Sequence, residues 1–575
     1  MKAKGIQRFL PFTDWLFNYQ KKNLQGDISA GLTVGVMLIP QGMAYSMLAG
    51  LPPIYGLYAS ITPLILYALF GTSRQLAVGP VAMVALLIAA GVGQVAETGS
   101  NEFIALAIIL ALMVGVFQLL LGLLRLGFLV NFLSHPIISG FTSAAALIIG
   151  FSQLKHLLGL DIPRSNFIHR ILIDAFSNLN EVHFYTFLVG VSGMITILLL
   201  KRFSKTIPGP LVAVILGILV VYLLGLDATG VKIVKEVPEG LPSLSIPSLN
   251  LDQIRMLLPT ALVISLIGFM ESIAVAKAIQ AKHRDYEVDS NQELIGLGIA
   301  NIGGSLFQSF PTTGGFSRTA VNDQAGANTG LASIISAVLI ALTLLFLTPL
   351  FYYLPKAILA SVIMVAVFGL IDFKEAIHLW KSDKKDFFML LATFVATLSL
   401  GIEEGIGIGV VLSLVWVIYR SAYPHIAELA NIPNTKYYRN IKRFPELHRE
   451  NGVLIVRFDA QLFFANINFF RDKVNEMIQC REDKIELLIL DFAAVNEIDS
   501  SALHMLHEFH RDMDERDIAV KITSLRGPVR DKFELSGIFE CFGKDNFYLQ
   551  ISEAIYHFKN KERSIDTQYA TQSGH

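Results

Sequence analysis

Long apolar stretches follow one another along the chain from about Ile28 to Tyr419. Each is close to the roughly 20 residues that a helix needs to cross a bilayer, and they are too numerous to form one buried core. The pattern predicts about fourteen membrane spans. The continuous spans are 104–123, 184–200, 209–225, 258–277, 331–350, 356–371 and 386–400. The spans interrupted by Gly, Pro or polar residues are 28–50, 54–70, 78–95, 128–152, 293–309, 315–328 and 404–419.

The polar segment VKEVPEGLPSLSIPSLNLDQIR divides these spans near their middle. With about seven spans on each side, the second set is predicted to be an inverted copy of the first, because an odd number of crossings reverses the orientation. The repeats would cover about 23–225 and about 256–420 of a transporter domain at 23–420. Interruptions occupy equivalent places, since GTSRQLAVGP precedes the third span and FPTTGGF precedes the tenth. Matching breaks in two inverted halves indicate a transport site near the middle of the membrane.

The two breaks contain Gly79, Pro80, Gly314 and Gly315. Unpaired backbone groups cannot face lipid, so extended backbone at this depth must be buried in protein or line a cavity. We expect Pro80 at the first position of one helix and Ser317 as the cap of another. Two helix N-termini would then face each other and favour an anion. The alternative is that these residues produce kinks or a packing face of small residues.

Arg318 directly follows the second break. An arginine inside the membrane is energetically unfavourable and is by default functional, so we expect it to contact an anion or to shape the field of the site. The alternative is a structural arginine that pairs with a backbone carbonyl or a carboxylate.

Composition agrees with the hydropathy pattern. Of the 575 residues, 53% are hydrophobic and only 16% are charged, with a mean hydropathy of +0.54, which is too apolar for an ordinary soluble protein. The formal net charge of -1 gives no reason to expect a nucleic acid partner. The sequence contains no GxxxxGK[ST] phosphate loop of a pump, and its polar membrane residues form no nucleophile–base pair or metal cluster. We therefore expect neither an enzyme nor a bound cofactor or metal.

Basic residues predict the orientation. If the basic segment 1–22 is cytoplasmic, then the Lys- and Arg-containing loops that follow also lie on the cytoplasmic side, as the positive-inside rule requires. No cleavable signal peptide is evident, so the first span would serve as the insertion signal. These observations predict a multi-pass protein of the cell inner (plasma) membrane with its N-terminus and its C-terminal domain in the cytoplasm.

The composition changes after Arg420. We predict a polar linker at 421–450, a small α/β domain at 451–560 and a disordered tail at 561–575. The stretch LLILDFAAVNEIDSSALHML resembles the STAS domain of sulfate transporters and anti-sigma antagonists. That resemblance makes Ser500 and Ser501 a possible phosphorylation site, although Ala502 departs from the family's Asp-Ser-Ser-Gly pattern. A simple helix cap explains Ser500 equally well.

Longer motifs carry a more specific resemblance. IPQGMAYSMLAGLPPIYGLYASITPLILYALFGTSRQLAVGPVAM, FMESIAVAKAIQAK and PTTGGFSRTAVNDQAGANTGLAS look like corresponding regions of the SulP/SLC26 anion transporters. The resemblance implies a 7+7 inverted-repeat fold, with a mobile core domain and a gate domain that move as an elevator, commonly in a homodimer. Carried over by position, the substrate site would be formed by Gln41, Tyr45, Val81, Ala82, Phe316, Ser317 and Arg318, with Glu271 as the coupling residue.

The substrate class follows from the same resemblance. At Glu271 the sodium-coupled bicarbonate carriers of the family place an aspartate, whereas proton-coupled sulfate carriers place a glutamate. A buried carboxyl can bind a proton together with a dianion and offset its charge. Proton-coupled sulfate uptake is therefore favoured, with a bicarbonate or dicarboxylate carrier, a chloride-linked exchanger or an anion channel as alternatives. Glu271 could instead be a permanent salt-bridge partner of Arg318.

Overall fold

The structure is a computed structural model that describes residues 10–128, 134–162, 167–203, 208–247, 250–283, 286–444, 446–447 and 449–560. The chain divides into two compact units, one ending at Ser413 and the other beginning at Leu414. The predicted tail at 561–575 and residues 1–9 of the predicted N-terminal segment lie outside the described residues.

The first half of the membrane unit is a succession of helices at the predicted places. Its elements are α1 (Phe12–Phe17), α2 (Lys21–Ala49), α3 (Pro53–Tyr58), α4 (Thr62–Phe70), β1 (Val78–Gly79), α5 (Ala82–Val92), α6 (Asn101–Leu123), α7 (His135–Ser152), α8 (Leu154–Leu158), α9 (Ile168–Ser177), α10 (Phe184–Phe203) and α11 (Gly209–Leu224).

The second half follows the same plan. Its elements are α12 (Leu251–His283), α13 (Ser290–Leu306), β2 (Thr313–Gly314), α14 (Phe316–Gln324), α15 (Leu331–Phe346), α16 (Lys356–Phe368), α17 (Phe373–Ser382), α18 (Lys384–Leu400) and α19 (Ile402–Ala422). Within the described residues, 8 helical segments are long and apolar enough to cross a membrane by length and composition. The short helices α5 and α14 each follow a two-residue strand, as the interrupted pattern predicted.

The two strands β1 and β2 pair with each other in antiparallel orientation. Val78 lies opposite Gly314, and Gly79 lies opposite Thr313. All four residues are buried, and the pairing satisfies backbone groups that could not face lipid. The helices α5 and α14 therefore begin beside each other, on strands that run in opposite directions, as expected for inverted repeats.

Two local predictions at these helix starts are wrong. Pro80 is not at the first helical position, because α5 begins only at Ala82, after Val81 as an extended N-cap residue. Ser317 does not cap α14, because that helix begins at Phe316 with Gly315 as its extended N-cap residue. In both cases the extended conformation imposed by the β1–β2 pair sets where the helix begins, which overrides the local preferences of proline and serine.

The membrane helices pack as two groups. In the first, α2, α4, α5 and α6 interleave with α12, α13, α14 and α15, with α6 packed along α13 and α2 along α15. In the second, α7 packs on α18 and α10 packs on α11 and α16. Small residues allow the close approach in the first group, since a Cβ atom on Gly115 of α6 would lie 2.6 Å from the backbone nitrogen of Ile302 in α13. These groups correspond to the predicted core and gate domains.

The C-terminal unit is an α/β domain built on a six-stranded sheet of order β4-β3-β5-β6-β7-β8. The strands are β3 (Ile426–Asn431), β4 (Tyr438–Asn440), β5 (Val453–Phe458), β6 (Leu487–Asp491), β7 (Ala519–Thr523) and β8 (Phe547–Tyr548). The helices are α20 (Ile467–Gln479), α21 (Ser500–Glu515), α22 (Gly527–Ser536) and α23 (Ile538–Phe542), and residues 551–560 are also helical.

The segment 421–450, which we expected to be a linker, contributes β3 and β4 to this sheet. Ala427 lies opposite Arg457 of β5, and Leu429 lies opposite Asn440 of β4. Both strands are short, and β4 is an edge strand with one buried residue, so the local pattern was too weak to predict them.

Candidate anion-binding site

A cavity of about 1140 Å³ lies in the membrane unit, beside the starts of α5 and α14. The predicted site residues lie far apart in the sequence, on α2, α5, α12 and α14, and the fold brings them into one wall. The cavity lining includes Gln41, Tyr45, Val81, Ala82, Glu271, Gly315, Phe316, Ser317 and Arg318. The other helix-break residues, Gly79, Pro80 and Gly314, are buried next to this lining.

The helix starts present backbone donors to the cavity. Gly315 and Val81 are the extended N-cap residues, so the first N–H groups of α14 and α5 have no acceptor within their own helices. Each helix N-terminus also carries a partial positive charge. Phe316 has 61% of its surface exposed in the cavity region, whereas the strands before the helices are buried. The arrangement is suited to holding a negatively charged group.

A buried polar network holds the strand that leads into α14. Oδ1 of Asn301 accepts a hydrogen bond from the Thr312 nitrogen at 2.8 Å. The Ser272 hydroxyl accepts one from the Gly314 nitrogen at 2.8 Å and lies 2.7 Å from Oγ1 of Thr313. Sequence reasoning did not identify Asn301 and Ser272, although a buried asparagine inside an apolar span is a usable indication. The network therefore fixes the strand before α14 to α12, the helix that also carries Glu271.

Arg318 has its guanidinium group in the first turn of α14, and only 2% of the residue is exposed. Its Nη1 donates a hydrogen bond to the Pro80 carbonyl oxygen, which ties α14 to the opposite break. Its Nε and Nη2 have no hydrogen-bond partner among the described residues. A Cβ atom on Gly315 would lie 2.8 Å from the Arg318 Cζ atom, so glycine at this position leaves room for the guanidinium group. Two buried donors on a fixed cation are therefore available to an anion.

Glu271 lies on α12 and faces the same cavity as Arg318 and Tyr45. Its Oε2 atom is buried without a hydrogen-bond partner in the described part of the chain. Arg318 donates its hydrogen bond to the Pro80 carbonyl oxygen and not to Glu271. The permanent Glu271–Arg318 salt bridge considered from the sequence is therefore not present in this structure. The site thus contains a carboxyl group, on Glu271, and a guanidinium group, on Arg318, that are both buried and lack some of their hydrogen-bond partners.

The cavity continues from this site to the ends of α10 and α12. Its far lining includes Lys201 near the end of α10 and Lys277 on α12, which is six residues, or about 9 Å along the helix, beyond Glu271. His135 at the start of α7 also lines the cavity and pairs with Glu375 at 3.2 Å. The lysines give this end a positive potential that attracts anions toward the site.

The two serines considered as a phosphorylation site, Ser500 and Ser501, lie at the start of α21. Ser500 and Ser501 are both exposed. Ser500 is not the helix cap, because Asp499 occupies that position and its Oδ1 accepts a hydrogen bond from the Ala502 nitrogen at 2.8 Å. Oδ2 of Asp499 accepts a second one from the Phe464 nitrogen at 2.9 Å. Because the helix begins at Ser500, Asp499 occupies the N-cap position and Ser500 lies one residue too late to cap it.

Comparison with known families matches residues 24–393 to the sulfate permease family and residues 444–554 to the STAS domain. Over 568 residues, the chain is 42% identical to sulfate transporter 4.1, chloroplastic, of Arabidopsis thaliana, covering 96% of this chain and 82% of that one. It is 34% identical over 572 residues to high affinity sulfate transporter 2 of Stylosanthes hamata, covering 96% and 86%.

Solved structures have the same architecture. The murine Solute Carrier 26 family member A9 anion transporter in the inward-facing state aligns with a TM-score of 0.89 and 27% identity, covering 97% of this chain and 96% of that one. The transmembrane domain of the cyanobacterial bicarbonate transporter BicA aligns with a TM-score of 0.58 and 26% identity, covering 69% of this chain and 97% of that one. The predicted fold class, a polytopic helical membrane protein of two inverted repeats with a C-terminal STAS domain, is confirmed.

Proposed function

The chain belongs to the sulfate permease family, and on that premise we propose that it is a secondary active transporter that takes up sulfate together with protons. The relatives that support an anion substrate are themselves named sulfate transporters. A transporter rather than an enzyme is also what the family indicates.

The observation that carries this proposal is the pair of unpartnered donors on buried Arg318, next to two helix starts. A tetrahedral oxyanion in the cavity would accept hydrogen bonds from Nε and Nη2 of Arg318 and from backbone N–H groups of α5 and α14. Each helix dipole contributes about 0.3–1 kcal/mol, or up to about 2 kcal/mol when partly buried. The moderate sum suits a carrier, which must release its substrate as well as bind it.

Glu271 supplies the proposed proton coupling. Sulfate carries two negative charges, and Arg318 offsets one of them. With Glu271 ionised, the loaded site would hold a net charge of about -2, and a proton on Glu271 would reduce it to about -1. Because buried net charge is unfavourable in a membrane, sulfate would bind best when the carboxyl group is protonated. Both ligands would then cross together.

The walls of the cavity favour an elevator-type movement. The polar site residues Tyr45, Glu271 and Arg318 lie on core helices α2, α12 and α14. The gate helices contribute mostly apolar side chains, including Phe141 of α7 and Val362 of α16, whereas His135 and Lys201 of the gate lie near helix ends. Because Tyr45, Glu271 and Arg318 all lie on the core, the core can slide along the gate without breaking their contacts to the substrate. The basic far end of the cavity would open toward the cytoplasm, and we propose that the protein works as a homodimer.

The family and the apolar helices make this a multi-pass membrane protein. We propose that it lies in the inner (plasma) membrane with the N-terminus and the STAS domain cytoplasmic, in accordance with the positive-inside rule. One named relative is chloroplastic, so localisation of the tagged protein in its own cell is the appropriate test.

Uptake of radiolabelled sulfate into proteoliposomes tests the function. We expect saturable accumulation above the external concentration when the lumen is alkaline, and none when an uncoupler removes the proton gradient. Unlabelled sulfate, bicarbonate, fumarate and chloride serve as competitors, and vesicles without protein serve as the control. If bicarbonate competes more strongly than sulfate and uptake depends on sodium, the substrate is bicarbonate and not sulfate. Unitary currents in planar bilayers would identify a channel instead.

A further inference from the structure

A second cavity, of about 520 Å³, lies in the C-terminal unit and is separate from the transport site. It is formed where the edge of the sheet meets the turn after β4. The lining residues are His425, Arg439, Asn440, Arg443, Phe444, Arg457 and Asp459. The volume is in the range of small-molecule sites in proteins.

The lining is strongly basic, with three arginines, one histidine and a single carboxylate. That carboxylate is already neutralised, because Asp459 pairs with Arg457 at 2.5 Å and with His425 at 2.8 Å. Partial burial raises the pKa of Asp459, but hydrogen bonds from Arg457 and His425 outweigh this effect and hold the pKa below its usual value. Asp459 therefore stays ionised and paired, and does not compensate the remaining arginines.

Arg439 and Arg443 are the available cations. Both are exposed, and neither guanidinium group forms a hydrogen bond or ion pair with a residue that the structure describes. Asn440 contributes a polar group between them, and Phe444, which is 43% exposed, forms an apolar side of the cavity. Arginine binds phosphate and sulfate groups through paired N–H donors, so two free guanidinium groups facing one cavity are a suitable oxyanion receptor.

The cavity lies close in the sequence to the last membrane helix. Trp416 and Tyr419 lie in the last turns of α19 and stack with ring centroids 5.7 Å apart, and aromatic residues of this kind mark the level of the lipid headgroups. His425 follows the end of α19 at Ala422 by three residues. An extended segment of that length spans at most about 11 Å, which limits the distance between His425 in the cavity lining and the end of α19.

We propose that the Arg439–Arg443 cavity binds a phosphate-type oxyanion, either on an anionic lipid headgroup or free in solution. Binding would attach the first strands of the C-terminal unit to the membrane surface or make them sensitive to the anion concentration. The transport site contributes no residue to this cavity, so the proposal is independent of the proposed transport function.

Native mass spectrometry of the full-length protein in detergent tests the proposal. The probes are dioctanoyl phosphatidylglycerol and phosphatidylinositol 4-phosphate, with dioctanoyl phosphatidylcholine as the zwitterionic control and inorganic pyrophosphate as the free oxyanion. In the double variant Arg439→Gln/Arg443→Gln we expect the affinity for the bound probe to fall by at least about tenfold, because two charge-assisted contacts are lost. Thermal unfolding should remain unchanged, because neither side chain has a described partner.

Two matched variants define the outcome. Lys442→Gln removes an adjacent exposed charge that does not line the cavity and should leave binding unchanged. The double variant Arg439→Lys/Arg443→Lys keeps the charge but loses the paired donors and should bind at an intermediate level. Arginine-dependent binding of the anionic lipids identifies a headgroup site, and arginine-dependent binding of pyrophosphate alone identifies a free oxyanion site. Equal binding of all probes by the Gln/Gln variant and the parent would overturn the proposal.

Discussion

Buried carboxylates occur in two different surroundings in the membrane unit. Glu293 is fully buried and accepts hydrogen bonds from the Tyr67 hydroxyl at 2.5 Å, from the Thr72 nitrogen and hydroxyl at 2.7 Å each, and from the Ser73 nitrogen at 3.2 Å. Glu271, by contrast, has a buried oxygen without any described partner and faces the cavity.

Asp27 belongs to the first kind. It is fully buried in α2, and it accepts hydrogen bonds from the Asn328 nitrogen at 2.7 Å and from the Thr329 nitrogen and hydroxyl at 3.0 and 2.7 Å. Asp27 and Glu293 each fix one helix to a distant segment, and their donors would be left unsatisfied if they were protonated or removed. A carboxyl group without such partners is free to exchange a proton or to respond to an anion. The difference separates structural acids from the acid of the site.

Glu293→Gln tests the structural side of this comparison and should have the largest effect. The amide would place N–H donors against the donors of Tyr67 and Thr72, and hydrogen bonds to a charged group are worth about 1.5–3 kcal/mol each. We expect a loss of about 2–4 kcal/mol in stability, seen as a lower unfolding temperature and yield of the detergent-solubilised protein. If the Glu293→Gln variant unfolds at the same temperature as the parent, the hydrogen bonds to Glu293 do not stabilise the fold and the contrast with Glu271 is wrong.

Arg318→Ala tests the cationic half of the site. Removal of a buried charge that binds an anion costs about 2 kcal/mol or more, which corresponds to an apparent affinity for sulfate at least about 30-fold weaker. Calorimetry on purified protein measures this effect. Arg255→Ala, at an exposed position near the start of α12, is the control and should bind sulfate as the parent does. Parent-like binding by Arg318→Ala would exclude the facing-helix site.

Glu271→Gln makes the same change at the carboxyl group that lacks hydrogen-bond partners. The neutral amide resembles the protonated form, so we expect exchange of internal for external sulfate to persist while accumulation driven by a proton gradient disappears. Protein yield and unfolding temperature should stay close to the parent values, unlike those of Glu293→Gln. Retained accumulation under an inward proton gradient would show that Glu271 is not the coupling residue.

Two serines provide the smallest contrast. Ser272→Ala removes the acceptor of the Gly314 nitrogen and leaves that buried donor unsatisfied, a change of about 1–3 kcal/mol, so sulfate affinity should fall by about fivefold or more. Ser317→Ala leaves the backbone donors of α14 in place and should change affinity by less than about threefold. The same calorimetric titration compares both variants. A larger effect at Ser317 than at Ser272 would mean that the hydroxyl itself contacts sulfate.

The hydropathy pattern predicted a succession of membrane helices and the two breaks, whereas most of the site residues were implied by the family resemblance. Lengths of apolar sequence are local properties, and the bilayer imposes a fixed length on each helix. The paired breaks at Gly79–Pro80 and Gly314–Gly315 were visible because small residues and proline interrupt an otherwise apolar run. The placement of Arg318 and Glu271 in one cavity agrees with what the resemblance implied, and their roles in binding and coupling stay predictions.

Hydrogen-bond partners were not predictable in this way. The Pro80 carbonyl accepts from Arg318, which lies 238 residues away, and Glu293 accepts from Thr72, which lies 221 residues away. Glu293 lies in the polar first turn of α13 and Glu271 in the middle of α12, but the sequence does not show that Tyr67, Thr72 and Ser73 satisfy only the first. The same is true of the start of α14 at Phe316, which depends on the β1–β2 pair rather than on Ser317. Sequence patterns determine which segments enter the membrane, but the partners of their polar groups follow only from the packing of distant helices, since each buried donor or acceptor must find its complement across the fold.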